Sequence, residues 1–408
     1  MLRAYATALA LFCGVAVGGT AGPAQAGNYT VLYAFQGGSD GANPRANLIT
    51  VGGTLYGTTF SGGGSANCSS GCGTVFALNP TTGAEQVVHA FQAGSDGANP
   101  QAGLINVGGT LYGTTAFGGG STSCTVLGTG CGTVFALNPT TGAETVVYVF
   151  RGSGSDGAVP YASLLYFGGA LYGTTFNGGS TNCFDGCGTV FALNPTTGSE
   201  SVVYTFRGGG DGDAPYASMI NLGNTLYGTT FSGGGSDEGT VYSLNPTTGA
   251  EKVLHAFQSL GDGINPYASL LNLGGTLYGT TDGGGSLKCR GGCGAVFALN
   301  PTNGSEKIVH YFLISNDGAR PTASLINIGG TLYGTASSGG ITRYGTVFSL
   351  NPTTGATTVV HCFQGGSDGN TPAASLLNIG GTLYGTTSYG GGTGCGGLGC
   401  GLVFALTP

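Results

Sequence analysis

Gly108-Gly109-Thr110-Leu111-Tyr112-Gly113-Thr114-Thr115 is one copy of a phrase that the chain writes seven times. Its core, Leu-Tyr-Gly-Thr-(Thr or Ala), begins at Leu55, Leu111, Leu171, Leu226, Leu277, Leu332 and Leu383. Successive starts lie 51 to 60 residues apart, so one unit of that length is used seven times. A unit so short cannot bury both of its faces alone and must stack on copies of itself.

Reading outward from that phrase gives four strands per unit. Gly103–Val107 is short and apolar, Gly108-Gly109 turns the chain, and Thr110–Thr115 runs back. A Gly-rich loop of variable length follows, then a third strand over Gly132–Leu137. Asn138-Pro139-Thr140-Thr141-Gly142 turns tightly into a fourth strand, Glu144–Phe150. Short runs of Val, Leu, Phe and Tyr punctuated by Gly, Asn-Pro and Thr-Gly are strand and hairpin signals. No segment has the spacing of an amphipathic helix, so the chain is all-β.

Strands such as Val75-Phe76-Ala77-Leu78 are apolar on both faces. A four-stranded antiparallel sheet of that kind wants neighbours on both sides, which radial stacking into a β-propeller supplies. A straight solenoid competes, but it needs atypical capping repeats. The ends of the chain decide between them. Thr30-Val31-Leu32-Tyr33-Ala34-Phe35 matches a fourth strand, and Gly401-Leu402-Val403-Phe404-Ala405-Leu406 matches a third. The N-terminal strand is therefore expected to complete the last blade and close a seven-bladed ring. Strand alternation puts the tight Gly-Gly and Asn-Pro turns on one face of the disc. The variable loops and the inter-blade Asp-Gly-x-x-Pro segments fall on the other, where binding residues are usually displayed.

The first 26 residues read differently. Arg3, an apolar run through Val17 and Ala24-Gln25-Ala26 form an expected signal peptide, with residues 27–408 as one propeller domain. The apolar run is too short for a permanent span. The chain ends on a repeat strand rather than a hydrophobic tail, so the expected product is secreted or periplasmic, unanchored and monomeric. Its charge of −7 offers no basic stripe, which argues against nucleic acid and membrane insertion.

Ten cysteines pair closely within the second-to-third loops: Cys68/Cys72, Cys124/Cys131, Cys183/Cys187, Cys289/Cys293 and Cys395/Cys400. Two repeats lack both members and have shorter loops, the pattern expected of local disulfides in an exported chain. Bridges that close such short loops are expected to pin the loops more than they hold the fold. A metal would need four ligands per site, whereas each loop offers two Cys and no His, so no metal is expected. Cys362, on a fourth strand, reads as a buried free thiol.

Asp40, Asp96, Asp156, Asp211, Asp262, Asp317 and Asp368 all precede Gly in the inter-blade segment. Seven symmetric carboxylates suggest a calcium ring, an acid/base pair or, better, since catalysis breaks symmetry, a turn in which the carboxylate accepts backbone N–H groups. His89, His255, His310 and His361 share a position with Tyr33, Tyr148 and Tyr204, so they fill space and make one hydrogen bond. The position after the inter-blade Pro reads Arg45, Gln101, Tyr161, Tyr216, Tyr267, Thr322 and Ala373. It starts each innermost strand beside the axial channel. Three Tyr with Arg and Gln suit a sugar or another polar ligand, against the alternative of packing on the adjacent loop. Loop residues that break the repeat, among them Phe117, Phe184, Asp185, Arg343, Tyr344 and Tyr389, are secondary candidates.

The repeated Gly-Gly-Thr-Leu-Tyr-Gly-Thr-Thr, Gly-Thr-Val-Phe-Ala-Leu-Asn-Pro-Thr-Thr-Gly and Val-Val-His-Ala-Phe blocks resemble the bacterial GloVer tandem repeat. The likeness runs from Tyr29 to Pro408 and implies an extracellular repeat protein of the choice-of-anchor type, with no catalytic residues to transfer. The Asn-Pro-Thr-Thr-Gly hairpin is also similar to pyrroloquinoline-quinone propellers. Those dock on Trp, which this chain lacks, so no cofactor is expected. The leading expectation is a secreted binding module whose partner is a glycan or an extracellular protein. The rivals are a carbohydrate-active hydrolase or lyase on the same face, and an envelope protein without a specific ligand.

Overall fold

The computed structural model describes residues 28–124, 130–152, 156–258, 261–286 and 288–408. The expected signal peptide lies outside them. Blade 1 contains Ile49–Val51, Thr54–Thr59, Thr74–Leu78 and Glu85–Ala90, hydrogen-bonded in that order as an antiparallel sheet. Six more sheets repeat this order. In blade 5 the short strand Ile264–Pro266 also pairs with Thr276–Gly283.

Blade 7 closes the ring. Its sheet runs Leu377–Ile379, Thr382–Thr387, Leu402–Thr407 and then Asn28–Ala34 from the other end of the chain. Thr30 pairs with Ala405 and Ala34 with Leu402. Similar contacts then join neighbouring blades around the ring, including 7 to 1. Near the axis, a Thr hydroxyl of one blade donates to an Ala carbonyl of the next, as in Thr58 to Ala102 at 3.1 Å and Thr386 to Ala46 at 3.4 Å. Further out, the Phe that ends each fourth strand meets an aromatic ring on the third strand of the next blade. Seven such pairs lie 4.9 to 5.4 Å apart, edge to face, and Phe35 to Phe76 is the one that completes the circle.

The central Gly of each Leu-Tyr-Gly-Thr core is required by this packing. Gly113 pairs across the sheet with Phe135, whose ring folds over it. A Cβ at Gly113 would lie 2.6 Å from Phe135 Cζ and 2.8 Å from Leu104 Cδ2. The apolar core is accordingly a set of clusters between blades, each built from the two facing sheets.

Candidate functional site

The inter-blade segment is bent the same way seven times. The residue before each Pro (Asn43, Asn99, Val159, Ala214, Asn265, Arg320, Thr371) has φ between 55° and 59°. That left-handed backbone is costly for Val, Thr and Arg and persists only where its surroundings hold it. The hold is a hydrogen bond from its N–H to a carbonyl of the preceding blade's loop. In five joints the acceptor is the second cysteine of a disulfide. Asn43 donates to Cys400 at 2.7 Å, Asn99 to Cys72 at 2.7 Å, and Arg320 to Cys293 at 2.8 Å. The bend and the following Pro turn the next residue toward the axis.

Arg45, Gln101, Tyr161, Tyr216, Tyr267, Thr322 and Ala373 therefore converge on one axial cavity of about 370 Å³. Ser163, Ser218, Ser269, Ser324 and Ser375 form a hydroxyl collar within it. The three tyrosines touch one another: Tyr161 and Tyr216 have centroids 4.9 Å apart, Tyr216 and Tyr267 3.9 Å. Phe176 packs edge-on to Tyr161 and Tyr216, and Phe231 to Tyr267. Arg45 lies over the Phe60 ring at 4.5 Å.

Phe60, Phe176 and Phe231 are thus the backing of the site, and sequence reading passed over them. The signal was the residue after Thr-Thr or Thr-Ala, which is Ala116, Asp282, Ser337 or Ser388 in other copies. Burial pushes the Tyr161 and Tyr216 phenols up, and Tyr267 up to about 12, while Arg45 acts in the opposite sense on all three. All three hydroxyls are consequently neutral donors and acceptors at ordinary pH. Arg45 is the one charged side chain among the cavity's described lining residues.

The seven inter-blade aspartates sit farther out. Each accepts a backbone N–H from four or five residues earlier, as Asp96 does from Gln92 at 2.6 Å and Asp317 from Leu313 at 2.8 Å. Each also meets the His or Tyr of its own blade's fourth strand, for example His255 at 3.1 Å from Asp262. A third partner was not foreseen: the Glu that opens the next blade's fourth strand. Burial, and next the neighbouring Asp, push Glu85, Glu144, Glu200 and Glu251 up to about 7 and Glu306 up to about 8. At the two remaining joints the position holds Thr357, which donates to Asp317, and Tyr29, which stacks on His361.

Two of these clusters, His89/Asp96/Glu144 and His255/Asp262/Glu306, bring three possible metal-ligating atoms within 4.8 Å of one another. Tyr33, Tyr148 and Tyr204 fill the His place at sister joints, pairing with the same two carboxylates. The shared requirement is a hydrogen-bonded latch between blades.

All five close cysteine pairs are bonded, with Cα atoms 5.0 to 5.3 Å apart. The bridges close loops of the disc's variable face, and each is also anchored in the core. Their second members, Cys72, Cys131, Cys187, Cys293 and Cys400, are fully buried. Each belongs to an apolar cluster of the core, Cys72 with Phe91 and Leu104, Cys293 with Phe312 and Leu325. The reason is position: each lies two residues before a third strand, where the chain already runs between sheets. One sulfur of every bridge is thus a packing atom, and the same residue's carbonyl holds the next inter-blade bend.

Asp213 beside Cys183 and Cys187 has no thiolate to share a metal with. The expectation for Cys362 is corrected. It is buried and disulfide-bonded, and none of the described cysteines is free. Its repeat position gave no sign of this, because the sister copies hold Ala, Val, Thr or Tyr. Disulfides in this number suggest an extracellular or secreted protein. No helix among the described residues is long and apolar enough to cross a membrane.

The family model described as the Gloeobacter/Verrucomicrobia repeat matches residues 19–185 and 182–398, and the chain belongs to that family. No relative with a curated description matches it in sequence. Solved structures share its fold. The extracellular domain of a hybrid two-component system from B. thetaiotaomicron aligns with a TM-score of 0.58 at 12% identity, over 92% of this chain but only 39% of that one. An oligogalacturonate lyase from Vibrio parahaemolyticus gives 0.55 at 10% identity over 93% of both chains. A quinohemoprotein alcohol dehydrogenase from Comamonas testosteroni gives 0.54 at 16% identity, over 93% of this chain and 76% of its own. At such identities the likeness concerns architecture alone.

Proposed function

We propose that this member of the repeat family is an exported binding module that holds a glycan at the axial mouth on its loop face. The observation behind this reading is the crescent of Tyr161, Tyr216 and Tyr267, supplied by three successive blades to one cavity. Aromatic rings offer apolar faces for the C–H side of a sugar ring. Their hydroxyls, with Arg45, Gln101, Thr322 and the serine collar, offer donors and acceptors for its rim.

The exposed surface supports the same face. Of the large apolar side chains exposed among the described residues, Phe184, Tyr311, Leu313, Ile341, Tyr344 and Leu398 lie in loops or strand ends on that side, and Tyr166 does not. Five disulfides and the expected signal peptide support export.

The test is a glycan array probed with the labelled protein, followed by titration of each positive glycan. Replacing Tyr161, Tyr216 and Tyr267 together by Ala should weaken binding by roughly tenfold or more, with the β-sheet circular dichroism unchanged. Binding that survives the triple replacement, or an array with no positive glycan, would overturn the assignment.

A further inference from the structure

We propose, resting on the glycan reading, that the axial mouth is the middle of a longer cleft. Its occupant is then a linear, uncharged polysaccharide that lies across the disc. Two more cavities open on the loop face. One, of about 330 Å³, lies between blades 2 and 3, and Phe117, Phe176, Asn177, Thr181 and Asp185 are among its walls. The other, of about 700 Å³, lies between blades 7 and 1, with Gln36, Asn43, Ser61, Ser65 and Ser69 among its walls.

Each has a wall tyrosine in common with the axial cavity. Tyr161 lines the axial cavity and the blade 2–3 cavity, and Tyr389 lines the axial cavity and the blade 7–1 cavity. The blades between them, 1 and 2, present Arg45 and Gln101 at the axis. The path from one outer cavity to the other thus passes Tyr389, Arg45, Gln101 and Tyr161 in turn.

The stapled loops follow this path. Blades 7, 1, 2 and 3 are four consecutive blades that each contain a disulfide, whereas blades 4 and 6 have none of the five close pairs. Cys68 and Cys395 flank one outer cavity, Cys124 and Cys183 the other. Phe184, 91% exposed, stands on the rim of the second, held by the Cys183–Cys187 bridge. Rigid walls reduce the ordering cost of binding, and they matter most for a ligand that must lie in one register.

A compact ligand fills one cavity of a few hundred Å³. Three neighbouring cavities that share aromatic wall residues instead suit a chain of repeating units, in which each further unit binds from an already tethered position. The walls also decide charge. The blade 7–1 cavity is lined by amides and hydroxyls, Asp185 faces the other, and the whole chain bears −7. The linings together carry one carboxylate, Asp185, and one cation, Arg45, so no run of basic groups is there to hold a polyanion.

The experiment measures affinity of the full chain for monomers, dimers, tetramers and hexamers of neutral glucan and chitin sugars, with wild type and Tyr389→Ala. The cleft predicts that hexamer affinity exceeds dimer affinity by roughly tenfold or more, and that Tyr389→Ala lowers hexamer affinity more than dimer affinity. Thermal melting of the variant confirms that it is folded. Dimers that bind as tightly as hexamers would overturn the cleft and leave the mouth standing as a small-sugar site. An array-positive acidic glycan with no neutral oligomer bound would overturn the charge assignment, and no binding at any length would overturn the glycan reading itself.

Discussion

Raising the pH should loosen the ring at five of its seven joints. Glu85, Glu144, Glu200 and Glu251 are pushed from 4.5 up to about 7, and Glu306 to about 8, by burial and by the inter-blade Asp beside each. The folded state therefore binds these protons more tightly than the unfolded chain does. Their contribution is complete below the unfolded value of about 4.5 and is lost as the pH climbs through about 7 to 8. For a fully buried carboxyl a change of this size is worth ~3.4 kcal/mol. Each Glu is about half in water, where screening leaves roughly 1 kcal/mol, so the five together amount to about 5 kcal/mol. For a chain of this length that corresponds to a fall in Tm of about 6 °C.

Calorimetry at a series of values between about pH 5 and pH 8.5 reads this directly. Glu144→Gln keeps a hydrogen-bond donor toward Asp96 but cannot ionise, so it should remove about a fifth of the fall. Replacing all five Glu by Gln should leave a nearly flat profile below about pH 8. A wild-type Tm that is constant or rises over this interval would refute the latch. So would a five-fold variant that retains the whole decline.

Gly113→Ala should destabilise by about 1–3 kcal/mol in urea titration, because its methyl would overlap Phe135 and Leu104, and Phe135→Leu should recover part of the loss. Replacing Cys183 and Cys187 together by Ser should cost about 2 kcal/mol. The carbonyl of Cys187 accepts the N–H of strained Ala214 at 3.0 Å, two residues before Tyr216. Glycan affinity should therefore fall in this variant, an effect that a bridge remote from the mouth would not produce.

The architecture was readable because the repeat is written in side chains that have only one role each. Gly113 sits under Phe135, Asn138 turns a hairpin, and Thr30–Phe35 is a fourth strand without its first three. The ring of Arg45, Gln101 and the tyrosines was readable for the same reason, since a position next to a Pro that recurs in every unit must recur at the same radius. Partnerships across blades were harder to see. Glu144 belongs with His89 and Asp96 of the preceding repeat, and nothing within one repeat joins them. Cys72 and Cys293 looked like loop residues, yet their carbonyls and sulfurs serve the next blade's bend and the core between blades. Phe176 and Phe231 misled in the same way, because their packing partners come from neighbouring inner strands. Tyr389 and Tyr161 are far apart in the chain, and only closure of the disc makes them walls of a common space.

That closure is open to one direct measurement. Thr30 and Ala405 face each other in the strand pair that joins the two ends of the chain. With Thr30→Cys and Ala405→Cys introduced together, the account predicts a spontaneous intramolecular disulfide in the oxidised monomer, identified by non-reducing peptide mapping. Two new thiols that remain free, or that link only between molecules, would contradict a closed ring and with it the axial mouth.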